Sequence, residues 1–511
     1  MSAKLLMLMG TGSSVGKSAL TAGLCRLYRN RGIRVAPFKA QNMALNSFIT
    51  PEGDEIGRAQ AVQAEACGLD PHVDMNPVLI KPNSDTGAQV IIHGKAVGNM
   101  SAAVYHDYKK TAWQAVAESL NRLRENYELI IIEGAGSPAE INLRDRDIVN
   151  MGLALKVRAP VLLIGDIDKG GVFASLVGTL ELLAPAEREL IKAFVINKFR
   201  GDVRLLEPGL DTIAERTGTP FAGVIPWFGP EIYIPEEDGV ALEGRLRIAE
   251  SPEQKHHPLN IGVVRLPHIS NFTDFDPLLQ SDGVKLDYLP PTAALNGYHL
   301  IILPGSKNTL ADLQHLRSCG FDRKLQGFAA AGGAVIGICG GYQMLGEKLL
   351  DPEEVESSSG EMSGLGLLPI KTEMAPEKIT LQCRAEITSA IFATGIRVEG
   401  YEIHQGRTTL TAPAATLLKV TGRTAGHSYH DGCISADGKI WGSYLHGIFD
   451  SDPFRNAYLD WLRRIMFGLG EETTPETETS YRQRKEEGLN RLASLLEKSL
   501  KMKMIDRIAG F

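Results

Sequence analysis

The sequence predicts an α/β protein, two parallel-sheet domains in series closed by a helical tail. Short runs rich in Ile, Val and Leu alternate with helical stretches, as strands buried on both faces of a parallel sheet do. Two such series are present, and the stretch between them, 243–258, is polar and unpatterned, as a linker is. After "EETTPETETS" (471–480), Leu489, Leu492, Leu496, Leu500 and Met504 fall at helical spacing and mark a terminal helix packed on a core or a partner.

The first series runs 4–10, 34–39, 128–134, 160–168, 193–199 and 221–226. The second runs 259–266, 284–290, 299–306 and 333–339, with later strands at 396–406 and 439–447. The expected division is therefore a first domain at 1–242, a linker at 243–258, a second domain at 259–455 and a tail at 456–511. At 511 residues the chain is long enough for two or three cores.

The bulk numbers exclude several classes. Lys and Arg number 54 against 61 Asp and Glu, a net charge of −7 with no basic block, which argues against a nucleic-acid partner. Six cysteines, at 25, 67, 319, 339, 383 and 433, show no metal or redox spacing and no disulfide framework. The apolar run at the start is too short for a signal peptide, and no stretch approaches the ~20 apolar residues of a membrane span. We expect a cytoplasmic protein without a membrane partner; no oligomeric state is implied.

The segment "GTGSSVGKS" (10–18) leaves the first strand and enters a helix. Backbone N–H groups of such a turn, with the positive end of the helix dipole, suit a polyphosphate. Gly12 and Gly16 shape the turn, Lys17 would reach the β/γ-phosphates, and Ser18 would ligate Mg²⁺. The usual loop has a glycine where Thr11 stands here. Glu133 and Asp166 end strands at the sheet edge where ligands bind, so either can hold the metal. Asn197, ending the next strand, could read a base edge by its amide. Lys39 ends the second strand as either a substrate contact or a surface lysine.

The second site is built around "GICGGYQMLG" (337–346), a lone cysteine at a strand-to-helix corner. Such a turn exposes the nucleophile, and the helix N-terminus favours a thiolate. His446 in "GSYLHGIFD" is the expected base, with His404 in "YEIHQG" ranked second. An oxyanion hole would combine Gly340 with the glycine turn at Gly305–Ser306.

The loop, "PFKAQNMALNS" (37–47), "EIGRAQAVQAEA" (55–66), "MNPVLIKP" (75–82) and "EGAGSPAEINL" (133–143) together resemble the amidoligase half of the cobyric acid synthase family, itself similar to dethiobiotin synthetase. The cysteine corner, the histidine and the glycine turn resemble a class I glutamine amidotransferase domain, flavodoxin-like in fold. The resemblance covers nearly the whole chain. It implies an ATP-, Mg²⁺- and glutamine-dependent amidation of the b, d, e and g carboxylates of a corrinoid, adenosylcobyrinic acid a,c-diamide, in cobalamin biosynthesis. It also implies that Gln343 contacts the bound glutamine.

Departures from related patterns sharpen this. Partition-type ATPases carry an extra lysine where this chain has Gly12. Cobyrinic acid a,c-diamide synthase, the nearest enzyme alternative, carries an "FKxGPDY"-like segment where this chain reads "FKAQNM". A nucleotide-switched scaffold with a dead amidotransferase domain would not be expected to keep both Cys339 and His446. Many amidotransferases orient the histidine with a glutamate two residues on, which is Ile448 here. The orienting group is left open between Asp450 and a backbone carbonyl. Arg58, Lys81 and Lys95 are candidate grips for substrate carboxylates, with solvated surface charge as the alternative for each.

Overall fold

A computed structural model describes residues 3–82, 87–235, 258–356, 360–392, 394–422, 428–469 and 480–511. The expected linker lies outside these residues except for Pro258. The chain forms two units, one of residues 1–44, 54–237 and 483–511, the other of 45–53 and 238–482.

The first unit is organised by a six-stranded parallel sheet. Its strands are β1 (Lys4–Gly10), β2 (Val35–Phe38), β3 (Leu129–Glu133), β4 (Val161–Asp166), β5 (Ile191–Phe199) and β6 (Phe221–Pro226), in the order β6-β5-β4-β1-β3-β2. Every residue of β3 and β4 is buried, which is why both read as unbroken apolar runs. Helix α1 (Lys17–Asn30) leaves the loop after β1, and α2 (Arg58–Cys67) covers the same region.

In the second unit, β7 (Leu259–Val264), β8 (Ile269–Ser270), β9 (Val284–Leu289), β10 (Leu300–Leu303), β11 (Gly305–Ser306) and β12 (Ala334–Ile338) precede the cysteine. Short helix α3 (Gly340–Met344) follows it. A long antiparallel pair, β13 (Ile370–Ile387) and β14 (Arg397–Leu410), leads to β15 (Cys433–Ile434), β16 (Ile440–Ser443) and helix α4 (Asp452–Phe467). The central sheet runs β9-β7-β10-β12-β16-β15, parallel except at β15. Strands β12 and β16 are neighbours with Ile338 opposite Ser443, which carries Cys339 and His446 to the same end of the sheet.

The stretch expected as one tail is divided. Helix α4 continues the second unit, and from Gln483 the chain rejoins the first. There α5 (Tyr481–Ser499) and α6 (Met502–Ala509) place Leu489, Leu492, Leu496 and Leu500 in one apolar core with Leu20, Leu24 and Leu27 of α1. Met504 packs against that core. A Cβ at Gly23 would lie 2.5 Å from Leu496 Cδ1, so the tail seats directly on the helix behind the phosphate loop. Arg26, buried on α1, is paired with Glu486 of α5 at 2.8 Å.

All six cysteines are free. No helix among the described residues is long and apolar enough to cross a membrane.

Candidate functional site

In the first unit the strand register brings together what the sequence keeps apart. Phe38 stands opposite Ile132, so the next residues, Lys39 and Glu133, lie abreast at the strand ends. The Lys39 ammonium donates to Glu133 Oε1 at 2.9 Å, and both side chains are buried. Ser18 Oγ donates to the same oxygen at 2.8 Å, and Gln63 Nε2 donates to Oε2 at 2.6 Å. Glu133 is thus the hub of the site, wholly buried and compensated by a cation and two neutral donors. Lys39 is no surface lysine: it is spent on Glu133.

The loop itself is held from below. The Asn197 amide donates to the Val15 carbonyl at 2.8 Å, and a Cβ on Gly16 would collide with it at 2.3 Å. Gly16 also has φ 98, a left-handed conformation that glycine adopts without strain. Asn197 therefore braces the loop with its NH₂ group; its buried Oδ1 has no hydrogen-bond partner among the described residues. Lys17 Nζ donates to the carbonyls of Gly12 at 2.9 Å and Gly136 at 3.1 Å. Asp166 pairs with Lys198 at 2.8 Å through Oδ2 and accepts the Asp168 N–H through Oδ1. Arg58 and Lys81 are buried rather than solvated, Lys81 paired with Glu55 at 2.9 Å, whereas Lys95 is exposed beside Asp54.

In the second unit, Cys339 sits between β12 and α3 with φ 53 and ψ −110, a strained conformation for a residue with a side chain. The turn is held by the Cys339 N–H donating to the Ser443 carbonyl at 2.9 Å. Its tightness explains the glycines, because a Cβ on Gly341 would lie 2.0 Å from the Leu303 carbonyl oxygen. A Cβ on Gly340 would fall 2.8 Å from the Ser306 nitrogen, and one on Gly305 would fall 3.3 Å from His446 Cε1. The glycine turn, the helix start and the histidine are thus gathered around the thiol. Short strand β11 is fixed there by antiparallel pairing with β8.

His446 is buried, and the Cys339 thiol, which donates to the Ile403 carbonyl at 3.6 Å, is among the groups that act on its titration. Its Nδ1 lies 2.6 Å from Asp274 Oδ2, while Asp274 Oδ1 accepts the Gly447 N–H. Asp274, not Asp450 or a carbonyl, is the orienting group. Burial works against the imidazolium, but the charge and hydrogen bond of Asp274, with the Cys339 contact, outweigh it and raise His446 to about 10. Ile448, where other amidotransferases place a glutamate, is buried in the apolar core.

His404 is not placed to act as the base. Its ring nitrogens face the Gly406 carbonyl at 2.9 Å and Glu402 at 3.3 Å, and its ring is stacked on Tyr444. Gln343 is buried with its amide engaged at both ends. Oε1 accepts from Thr309 Oγ1 at 3.0 Å, and Nε2 donates to the Tyr444 hydroxyl at 3.3 Å.

Asp274 is the main residue that sequence reasoning missed. It lies 172 positions before His446, in "NFTDFD", a stretch with no nucleophile or strand-end pattern to single it out.

Comparison with known proteins agrees with this double arrangement. The CobQ/CobB/MinD/ParA nucleotide binding domain family matches residues 6–229, and the CobB/CobQ-like glutamine amidotransferase domain family matches residues 260–454. A cobyric acid synthase of Desulforudis audaxviator is 48% identical over 512 residues, covering 100% of both chains. The chain belongs to the cobyric acid synthase family. It is accordingly a glutamine-dependent amidoligase. A cobyric acid synthase of Desulfitobacterium hafniense (strain Y51) is 48% identical, covering 99% of this chain and 98% of its own. A solved glutamine amidotransferase from Thermotoga maritima covers 50% of this chain at 16% identity and a TM-score of 0.28.

Proposed function

We propose that this cobyric acid synthase family member amidates the b, d, e and g carboxylates of adenosylcobyrinic acid a,c-diamide, using ATP and glutamine, and yields adenosylcobyric acid. The observation that carries the reading is the pairing, on one chain, of a phosphate loop facing a buried carboxylate with a thiol–imidazole–carboxylate relay.

In the relay, the Cys339 thiol passes its proton to His446 and the sulfur attacks the glutamine amide carbon, while the tetrahedral oxyanion meets the N–H groups of Gly340 and Ser306. The C–N bond breaks as His446 hands its proton to the departing nitrogen, and ammonia leaves. Water then cleaves the thioester to glutamate, with His446 taking the proton and Asp274 holding the ring throughout. The family's contact between Gln343 and the bound glutamine would be made by a side chain already fixed by Thr309 and Tyr444.

At the loop, a substrate carboxylate oxygen attacks the γ-phosphorus and ADP departs. Ammonia then attacks the acyl carbon, and the C–O bond to phosphate breaks. Lys17 neutralises charge on the transferring group. Ser18 Oγ and Glu133, already 2.8 Å apart, suit a Mg²⁺, which would offset charge on the phosphate oxygens; Asp166 is a further candidate ligand. Asn197 Oδ1, buried and unpartnered, suits the exocyclic amine of adenine. The corrinoid brings its own cobalt, so no further metal ligand is required. The reading includes a cytoplasmic location and no nucleic-acid or membrane partner.

The test is mass spectrometry of the corrinoid after incubation with enzyme, ATP and glutamine, counting carboxyl-to-amide steps. One step is expected for each of the b, d, e and g positions. Cys339→Ala should abolish glutamine-driven steps yet spare those driven by ammonium. Loss of both would make the cysteine structural and remove the proposal's basis.

A further inference from the structure

Beside the thiol site lies a buried carboxylate that the relay does not use. Asp312, in the first turn of the helix Thr309–Ser318, has no exposed surface. Its Oδ1 lies 2.7 Å from His268 Nδ1 and accepts the His268 N–H at 3.2 Å. Its Oδ2 accepts the Ser306 hydroxyl at 2.6 Å. A charge buried this deeply is costly unless donors surround it, and here the donors belong to two chain segments that meet at one junction. His268 immediately precedes β8, and Ser306 ends β11, with Ile269 opposite Ser306. The Lys307 N–H closes the same junction by donating to the His268 carbonyl at 2.9 Å.

Ser306 is fixed through its hydroxyl from two directions, donating to Asp312 and accepting the Asn308 N–H at 3.0 Å. Its backbone nitrogen is the atom that a Cβ on Gly340 would approach to 2.8 Å. The residue that Asp312 grips by its side chain therefore presents its nitrogen to the start of α3, beside Cys339. Strand β11 is two residues long, and so short a pairing is marginal by itself. The carboxylate clamp supplies the hold that the ladder lacks.

We propose that Asp312 is a positioning residue for the oxyanion hole: with His268 as its second anchor, it acts through the Ser306 hydroxyl to aim the Ser306 N–H at the tetrahedral oxyanion. This rests on the reading of Cys339 and His446 as the glutamine-hydrolysing pair. An oxyanion donor is worth ~10²–10³-fold in rate when aimed at the oxygen of the tetrahedral state, and a displacement of about 1 Å can cost ~10²-fold. The aim of Ser306 can also be told apart from the placing of the whole segment. Thr309, three residues on, donates to Gln343 Oε1 at 3.0 Å, so a displaced segment would disturb the glutamine contact and raise KM. A turned Ser306 N–H would lower kcat alone.

The test uses the full-length chain and measures glutamine hydrolysis, ammonium-driven amidation and the rate at which iodoacetamide alkylates Cys339, read on the Cys339 peptide by mass spectrometry. Alkylation displaces iodide at a saturated carbon and builds no oxyanion, so it reports the thiol and His446 without the hole. Asp312→Asn and Ser306→Ala should each lower kcat for glutamine ~10-fold with KM changed less than ~2-fold. Cys339 alkylation and ammonium-driven amidation should match the parent in both. Joined in one chain, the two substitutions should cost no more than the larger single one, because each breaks the same clamp. Three results would overturn the proposal: kcat for glutamine unchanged in either single variant, losses that multiply in the double variant, or Cys339 alkylation that slows in step with kcat. Failure of the underlying reading shows separately, as a Cys339→Ala chain that still amidates from glutamine.

Discussion

Around Glu133, the groups that meet come from the end of β2 and from helices α1 and α2. Around Cys339, they come from a corner, a glycine turn, a distant strand end and the short 3₁₀ turn Phe272–Phe275 that carries Asp274. Both sites bury a carboxylate, yet they use it differently. Glu133 takes donors from Ser18, Lys39 and Gln63, so it ties the start of α1, the end of β2 and helix α2 together. Asp274 spends one oxygen on a backbone N–H and gives the other to a single imidazole, so it tunes a base. A parallel sheet can assemble a phosphate site from register alone, whereas a three-residue relay needs segments the sheet does not bring into register.

Lys17→Ala separates the two sites by striking amidation from either nitrogen source. Amidation should fall by ~10²-fold or more with glutamine and with ammonium alike, because the lost cation acts before nitrogen is needed. Glutamine hydrolysis measured without ATP should persist. Amidation unaltered with either nitrogen source would remove Lys17 from the phosphate site.

Asp274→Asn strikes the other side of the comparison. Glutamine-driven amidation should drop by up to ~10⁴-fold through loss of ring orientation, with ammonium-driven amidation spared. The variant should also change the pH dependence of stability. The folded chain holds the His446 proton up to about 10, above the ordinary 6.5, so the protonated pair stabilises the fold fully below 6.5. That contribution is lost as pH rises toward 10. Denaturant unfolding of the parent chain should therefore show stability falling across this window, and Asp274→Asn should flatten the slope. An unchanged slope would mean that Asp274 does not hold the proton on His446.

Much of the first site was legible because its physics is local. Glu133 and Lys39 each end an apolar run, and a parallel sheet puts such ends side by side. What the sequence left open was who pairs with whom: the burial of Lys39 on Glu133 follows from Phe38 lying opposite Ile132, which no single-strand pattern contains. Asn197 was placed at the correct strand end, but its NH₂ group is committed to the Val15 carbonyl. In the second site, Cys339 announced itself by its flanking glycines, since only small residues fit beside that corner. Asp274 gave no such signal, because a single carboxylate in an irregular turn resembles any capping acid. The placement of residues 45–53 was equally hidden. "LNSFITPEG" (45–53) falls within the expected first domain, and only tertiary packing assigns it to the second unit.

The tail offers a test of stability rather than chemistry. Leu496→Ala removes a fully buried side chain that touches α1 beside Gly23 and should cost about 2–5 kcal/mol. Because α1 begins at the phosphate loop, nucleotide-dependent turnover should lose heat resistance before glutamine hydrolysis does. Simultaneous loss of both activities on heating would show that the two units unfold together.

Asp450→Asn should have the smallest effect. Asp450 follows His446 closely in sequence and is the nearest acid a motif search would offer as its partner. Both oxygens of Asp274 already serve the His446 turn, one on the ring and one on the Gly447 N–H. Removing the charge at 450 should leave kcat for glutamine within ~2-fold of the parent, because Asp274 rather than Asp450 faces the His446 ring. A loss as large as that of Asp274→Asn would move the relay's third member to Asp450 and break the contrast between a register-built site and one assembled from distant segments.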